Sequence, residues 1–551
     1  MNRRLLTTYI VCLMGSMTTA FAQTEQTVTL NGSVQSDVLV PRNDSEIGAE
    51  KDGDWAKTNT YIDLNLQSRY VDAGGRFEYL DHPLPGYEPD FRGWGTRHYW
   101  VKGKLEGERL SAELTLGSLY EQFGSGLILR TCEERALGID NSLLGARLTV
   151  RTKGGLTLKA LTGRQRRYWH YNDALISGAD AEYELTLARQ SEHPLNVTLG
   201  GSWVNKRDND DRDVFVDYAH KINFPKYVNA WDVRLNLSRG DWRLLGEYAQ
   251  KTDDPSFDNG YTFRRGNALL VSASYSRKGL SALLQTKRSE NMASRSDRMM
   301  DGTSSMLNHL PSFTQDQTYA LAALYPYATQ LATGEWGYQA ELGYNFKRRT
   351  TLGGPYGMNV KLNYSYIRAI DRQMVADGDL RGTGWFTSSF LKWGDDTYYQ
   401  DLDVTLTRKL SRDFKLTLMY MNQRYNQAVI EGHGDMIHSD IFVADGKYQL
   451  SPKTTLRGEL QYLSTAQDQG DWLFGLLELS LVPHWMLTVS DMYNSGDTHT
   501  HYYQGFVTFN TGSHRLQLGY GRTRAGLNCS GGVCRYVPAT SGMTLSYNYN
   551  F

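Results

Sequence analysis

Apolar and polar residues alternate one for one in run after run along this chain. In Arg109 to Leu116, Leu110, Ala112, Leu114 and Leu116 alternate with Arg109, Ser111, Glu113 and Thr115. In Phe414 to Tyr420 the apolar set is Phe414, Leu416, Leu418 and Tyr420. Runs of the same period occupy Trp231–Leu237, Leu269–Tyr275, Trp336–Phe346, Asp401–Leu406, Leu456–Tyr462 and Tyr503–Phe509. A period of two puts the two sets on opposite faces of a β-strand. Many runs begin or end in Trp, Tyr or Phe, the positions of an interfacial aromatic girdle. The pattern holds to the last residue, where Met543, Leu545, Tyr547, Tyr549 and Phe551 alternate with Thr544, Ser546, Asn548 and Asn550. A strand with so apolar a face is a hazard in water. It makes sense if its outer face meets lipid and its edge closes on the first strand. Tyr547, Tyr549 and Phe551 then read as a C-terminal assembly signal.

Connections between runs alternate in length. Short turns are expected at Asp72–Gly75, Lys153–Gly155, Arg239–Asp241, Arg277–Gly279, Ser411–Asp413, Ser451–Lys453 and Thr511–Ser513. Longer polar stretches lie between them, at 81–95, 207–228, 291–334 and 372–395. Short turns on one side and long loops on the other predict an all-β, antiparallel, up-and-down transmembrane barrel of roughly 24 strands. The short turns would be periplasmic and the long loops extracellular. A soluble β-sandwich leaves the girdle and the loop asymmetry unexplained.

The start of the chain has the form of an export leader. Arg3 and Arg4 precede an apolar stretch from Leu5 to Met17, and Ala20-Phe21-Ala22 is a cleavage site. Residues 1–22 are therefore expected to be removed and 23–551 to form the barrel in the outer membrane of a Gram-negative cell. The formal net charge is −1, and loss of Arg3 and Arg4 takes it to −3. No basic stretch points to nucleic acid. The mean hydropathy of −0.51 and the lack of a second long apolar run exclude a helical membrane protein.

One segment breaks the alternation. Residues 117–145 are punctuated by five glycines and mix Leu127, Ile128, Leu129 and Leu137 with Arg130, Glu133, Glu134, Arg135 and Asp140. Exposed loops have little use for so many apolar residues. A segment folded into the lumen does, because the apolar residues pack on the wall and the charges line a passage. Here Phe123-Gly-Ser-Gly-Leu-Ile-Leu-Arg130 and Leu137-Gly-Ile-Asp-Asn141 resemble the hallmark stretch of a Bacteroidota outer-membrane barrel family of uncharacterised function, as does Cys529-Ser-Gly-Gly-Val-Cys534. The resemblance implies fold and compartment and supplies no substrate and no catalytic residue. The five charged residues are expected to form a constriction; a wall-packing plug is the alternative.

Cys529 and Cys534 are expected to pair as a surface disulfide, since the compartment permits it and the glycines between let so short a loop close. Cys132 has no evident partner. His499 and His501, and the aspartates at 208, 210, 211 and 213, are read as solvated loop residues, and no metal or cofactor is expected. Neither G-x-S-x-G nor H-E-x-x-H occurs, so the chain is expected to be non-enzymatic. Two functions stay open: a porin-like conduit for a small solute, or an accessory barrel in an envelope assembly for protein export, insertion or display. Expected partners are outer-membrane lipid, the barrel-assembly machinery and, in the second reading, other envelope subunits.

Overall fold

The computed structural model describes residues 28–530 and 533–551, and only backbone within 528–534. The expected leader lies outside the described residues. Among the described residues, twenty-four antiparallel strands make one closed sheet. Each pairs with its neighbour in sequence, and Thr29–Pro41 pairs with Thr540–Asn550 from Ser33↔Asn550 to Pro41↔Gly542. Gly32 and Phe551 extend the ladder, each amide donating to the other's carbonyl at 3.0 Å. Closure leaves no free sheet edge.

The alternation sorts the two faces. On Phe414–Asn426, Leu418 and Tyr420 are exposed while Met419, Met421 and Tyr425 are buried. Leu460, Leu477 and Val489 extend the apolar outer band. Ring pairs mark its two rims: Phe414–Tyr448 and Trp485–Phe509 near the short turns, Tyr420–Phe442 towards the long loops.

Three expectations about connections need correction. Asp72–Gly75 is not a turn but lies inside the strand Val71–His82. Its glycine is needed for close approach, because a Cβ on Gly74 would come within 2.6 Å of the Trp100 indole. Residues 291–334 do not stay outside; they enter the barrel, as described below. The stretch 372–395 is largely strand, continuing the hairpin of Met358–Met374 and Phe386–Lys409 with register breaks between Ile367 and Arg372.

That extension folds over the outside of the barrel. Arg288 and Glu290 share the outward face with exposed Leu284, yet both are fully buried, 2.5 Å apart. The Arg288 guanidinium lies 4.5 Å from the Phe390 ring, and that of Arg264 lies 4.1 Å from Phe386. The strap thus hides an ion pair from the apolar band and presents Leu391 and Trp393, 78% and 56% exposed, in its place.

Candidate functional site: two segments inside the lumen

The first segment, 120–142, joins Leu110–Leu119 to Leu143–Thr152 at the long-loop end. It begins as a narrow hairpin. Phe123 N–H donates to Leu129 O at 3.1 Å and Thr131 N–H to Glu121 O at 3.0 Å. Phe123, Leu127, Ile128 and Leu129 are buried against Ile176, Val204, Ala230, Ala249 and Ala268, inner-face residues of five consecutive strands. Small wall residues make the room. A Cβ on Gly178 would approach the Phe123 ring to 2.8 Å. Ser125 N–H donates to the Glu247 carboxylate at 2.9 Å.

Most of the segment's charges are tied to the wall. Glu133 receives both terminal nitrogens of Arg76, at 2.5 and 2.9 Å, and Arg135 bridges Glu133 and Asp63. Asp140 pairs with Arg166 at 2.8 Å, and Arg166 also holds Glu78 at 2.5 Å. Burial is the largest influence and works against the Asp140 charge, but the Arg166 guanidinium, His98, the Ser142 amide and Arg76 together outweigh it and hold the carboxyl below its usual range. Glu134 accepts from the Ala136 amide at 3.3 Å and caps a short 3₁₀ turn, Arg135–Leu137. Arg130 reaches elsewhere: its amide donates to Leu307 O and its guanidinium to His309 O, both at 2.8 Å. Cys132 is a half-buried free thiol, and burial raises its pKa.

Leu307 and His309 belong to the second segment, 291–334. Three lysines of the inner wall grip its backbone: Lys206 donates to Arg295 O at 3.0 Å, Lys251 to Ala293 O and Lys287 to Leu310 O. Ser312 Oγ and Tyr327 Oη donate to Glu335. Beyond, Leu321, Ala322, Leu324, Tyr325 and Tyr327 are buried against Met419, Met421, Ile441, Val443 and Leu463, the inner face on the other side. The sequence carried a signal here. Ala320-Leu-Ala-Ala-Leu-Tyr-Pro-Tyr327 is an apolar run in an otherwise polar stretch, and its lack of alternation is the same anomaly that marks 117–145.

Between the two segments lies a cavity of about 550 Å³. Arg130 of the first segment lines it together with Gln315, Asp316 and Gln317 of the second and Tyr399 of the wall. Leu527 closes part of it. That residue comes from the hairpin Gly526–Ser530 and Val533–Val537, which bends inward, and Arg535 of the same hairpin donates to Thr303 of the second segment at 2.8 Å. Of the five predicted constriction residues, Arg130 therefore lines the cavity, while Glu133, Arg135 and Asp140 sit in ion pairs at the wall.

Cys529 and Cys534 are directly opposed across that hairpin; their side chains lie outside the described residues. Directly opposed positions have a Cα separation of about 4.5–5.5 Å, within the span of a disulfide. Mass spectrometry of the non-reduced protein is expected to find the two joined, and finding both thiols free would contradict this. The ring is short, so its stabilisation falls at the low end of about 2–4 kcal/mol, and a double Ser variant should still fold.

Other expectations shift. Asp208 is not solvated: it is buried and pairs with the buried Arg298 of the second segment at 3.0 Å. His501 Nδ1 lies 2.6 Å from Asp491 and its ring stacks on Tyr493. Tyr547 Oη is 2.9 Å from His514 Nδ1, and Tyr549 stacks on the same ring.

Residues 1–551 match the model of a family described as "Family of unknown function (DUF6029)". The chain belongs to this family. No curated protein matches it. Solved structures similar to it include the ferric enterobactin receptor of Pseudomonas aeruginosa, at 10% identity, TM-score 0.45, with 95% of this chain and 81% of that chain covered. The siderophore receptor PirA of Acinetobacter baumannii is similar at 10% identity, TM-score 0.43, covering 96% and 81%. The P pilus usher translocation pore is similar at 11% identity, TM-score 0.40, covering 95% and 99%.

Proposed function

We propose that the protein is a non-enzymatic conduit for a small solute, exported to the outer membrane and narrowed from within by residues 120–142 and 291–334. The observation that carries this reading is the cavity between the two segments, whose lining includes Arg130 of the first and Asp316 of the second. A barrel of this strand number would otherwise enclose a wide aqueous lumen. Fixed charges act more strongly in a confined, partly dry passage than on an open surface. Arg130 is the residue through which we expect ion preference to be set. Glu133, Glu134, Arg135 and Asp140 would shape the constriction by holding the first segment against the wall. Tyr547, Tyr549 and Phe551 would be read by the assembly machinery before closure hides the strand edge.

The alternative, an accessory barrel in an envelope assembly, draws support from the number of wall lysines and ion pairs that anchor the segments. The two readings separate on reconstitution. Protein purified in mild detergent and added to planar bilayers should give reproducible open events. Silent barrels that co-purify with other envelope proteins would favour the accessory role.

A further inference from the structure

The outer band is not evenly convex. Six neighbouring strands, from Phe386–Lys409 to Trp485–Asn494, carry two adjoining hollows of about 880 and 690 Å³ on their lipid-facing side. Ala444, Leu460, Gly475 and Asp491 line both. The floor is made of small residues. Ala444, Gly446, Gly458 and Gly475 face outwards there, and Leu460 stands 70% exposed among them. A Cβ on Gly458 would meet nothing within 4 Å, so the wall leaves that space open. The hollows lie between the two aromatic rims, with Phe414 beside Gly446 at one end and Tyr420 and Tyr462 at the other.

The rim towards the long loops is acidic. Tyr420 Oη donates to Asp440 at 2.7 Å and Tyr462 Oη to Asp471 at 2.6 Å. Asp491 lies in the hollow itself, in one ladder row with Gly475 and Leu460, and its side chain is 41% exposed. Its carboxylate is 2.6 Å from His501 Nδ1. An ionisable group facing lipid is costly without a partner. Among the described residues, none of the three carboxylates pairs with a lysine or arginine. Two outward arginines flank the rim. Arg522 stacks on Tyr503 and is already held by Asp44 and Glu46, at 2.6 and 2.7 Å. Arg424 is exposed one outward position beyond Asn422 and faces His438 across the ladder. Three carboxylates against Arg424 leave the rim negative.

We propose that this dish seats an acyl lipid whose headgroup is a cationic amine. The inference needs only the lipid-facing wall and stands apart from the conduit reading. An acyl chain laid on the apolar floor leaves no polar group unsatisfied. An ammonium group at the rim gives its N–H groups to a carboxylate and to a neighbouring phenol oxygen, which still has a lone pair to offer. A phosphate headgroup would meet like charge at the same place. So would a second copy of this chain, because a two-fold contact at this patch brings the same acidic rim against itself.

Electron spin resonance on the protein in phosphatidylcholine vesicles, with trace spin-labelled stearylamine or phosphatidylglycerol, tests this through the fraction of label slowed at the protein surface. Stearylamine is expected to be enriched about fivefold over phosphatidylglycerol, the scale of an exposed charge pair. Asp440→Asn, Asp471→Asn and Asp491→Asn combined should bring the two labels level. Gly458→Leu, which fills open space, should lower the slowed fraction of stearylamine while the rim keeps its charge. The unheated gel mobility of each variant reports whether it has folded. Equal enrichment of the two labels in the wild-type protein would overturn the proposal. A preference that survives in the folded triple variant, or a slowed fraction unchanged in Gly458→Leu, would place the lipid elsewhere and overturn it too. Cross-linking of Gly458→Cys into a dimer in the same vesicles, with no label preference, would give the dish to a second copy instead.

Discussion

Arg166→Ala is expected to lower the stability of the folded barrel by about 3 kcal/mol, the low end of the 3–5 kcal/mol for removing one partner of a buried ion pair. Arg166 is 1% exposed and neutralises two carboxylates at once, Glu78 of the wall and Asp140 of the first segment. Its Nε also donates to Tyr168 O at 2.7 Å. Truncation leaves two buried carboxylates to share Arg76, which lies 3.4 Å from Glu78 and 3.8 Å from Asp140. That residual partner is why the low end applies. Adding Glu78→Gln to Arg166→Ala should recover part of the loss, because one uncompensated charge then disappears. The readout is the temperature at which the unheated, fast-migrating form vanishes from gels. An unchanged transition in Arg166→Ala would mean that the first segment is not anchored through this pair.

Leu418→Arg is expected to cost about 2–4 kcal/mol, the range for a cation near the midplane of a lipid-facing barrel wall. Leu418 is 44% exposed on the outer band, between the rim aromatics Phe414 and Tyr420 of its own strand. Its neighbours across the sheet are Leu406 and Ala444, so no carboxylate lies beside it in register. Lys415, one of the inward positions of the same strand, should tolerate Ala with little effect. Refolding yield into lipid and urea midpoints of the folded form distinguish the two. A Leu418→Arg variant as stable as the wild type would mean that this face does not meet lipid, and a costly Lys415→Ala would reverse the register.

The wall was legible in the sequence and most of its filling was not, for one reason. A strand with one face on lipid and one on the lumen must alternate, so runs such as Phe414–Tyr420 announce both their conformation and their faces. The same alternation makes inner-wall positions look wet by default. Lys206, Lys287 and Glu335 occupy inner-wall positions of their strands, and only the approach of 291–334 turns them into buried clamps. The first segment could be recognised because its apolar residues are crowded between glycines and charges within a short stretch. The second hides one apolar run, Ala320–Tyr327, in a long polar loop. Arg288 and Glu290 went unread for a related reason. An ion pair on an outward face is unexpected, and the strap that covers it comes from about a hundred residues further along the chain.

Single-channel current in planar bilayers, recorded for the wild-type protein and for a variant lacking 124–136, tests most directly whether the lumen is a conduit narrowed from within. The wall carries its own hydrogen bonding, so the variant should fold. The account predicts small conductance in the wild type, larger conductance and admission of larger solutes in the variant, and a shift of anion-versus-cation preference in full-length Arg130→Glu. A folded deletion variant with wild-type conductance and wild-type ion preference would contradict it.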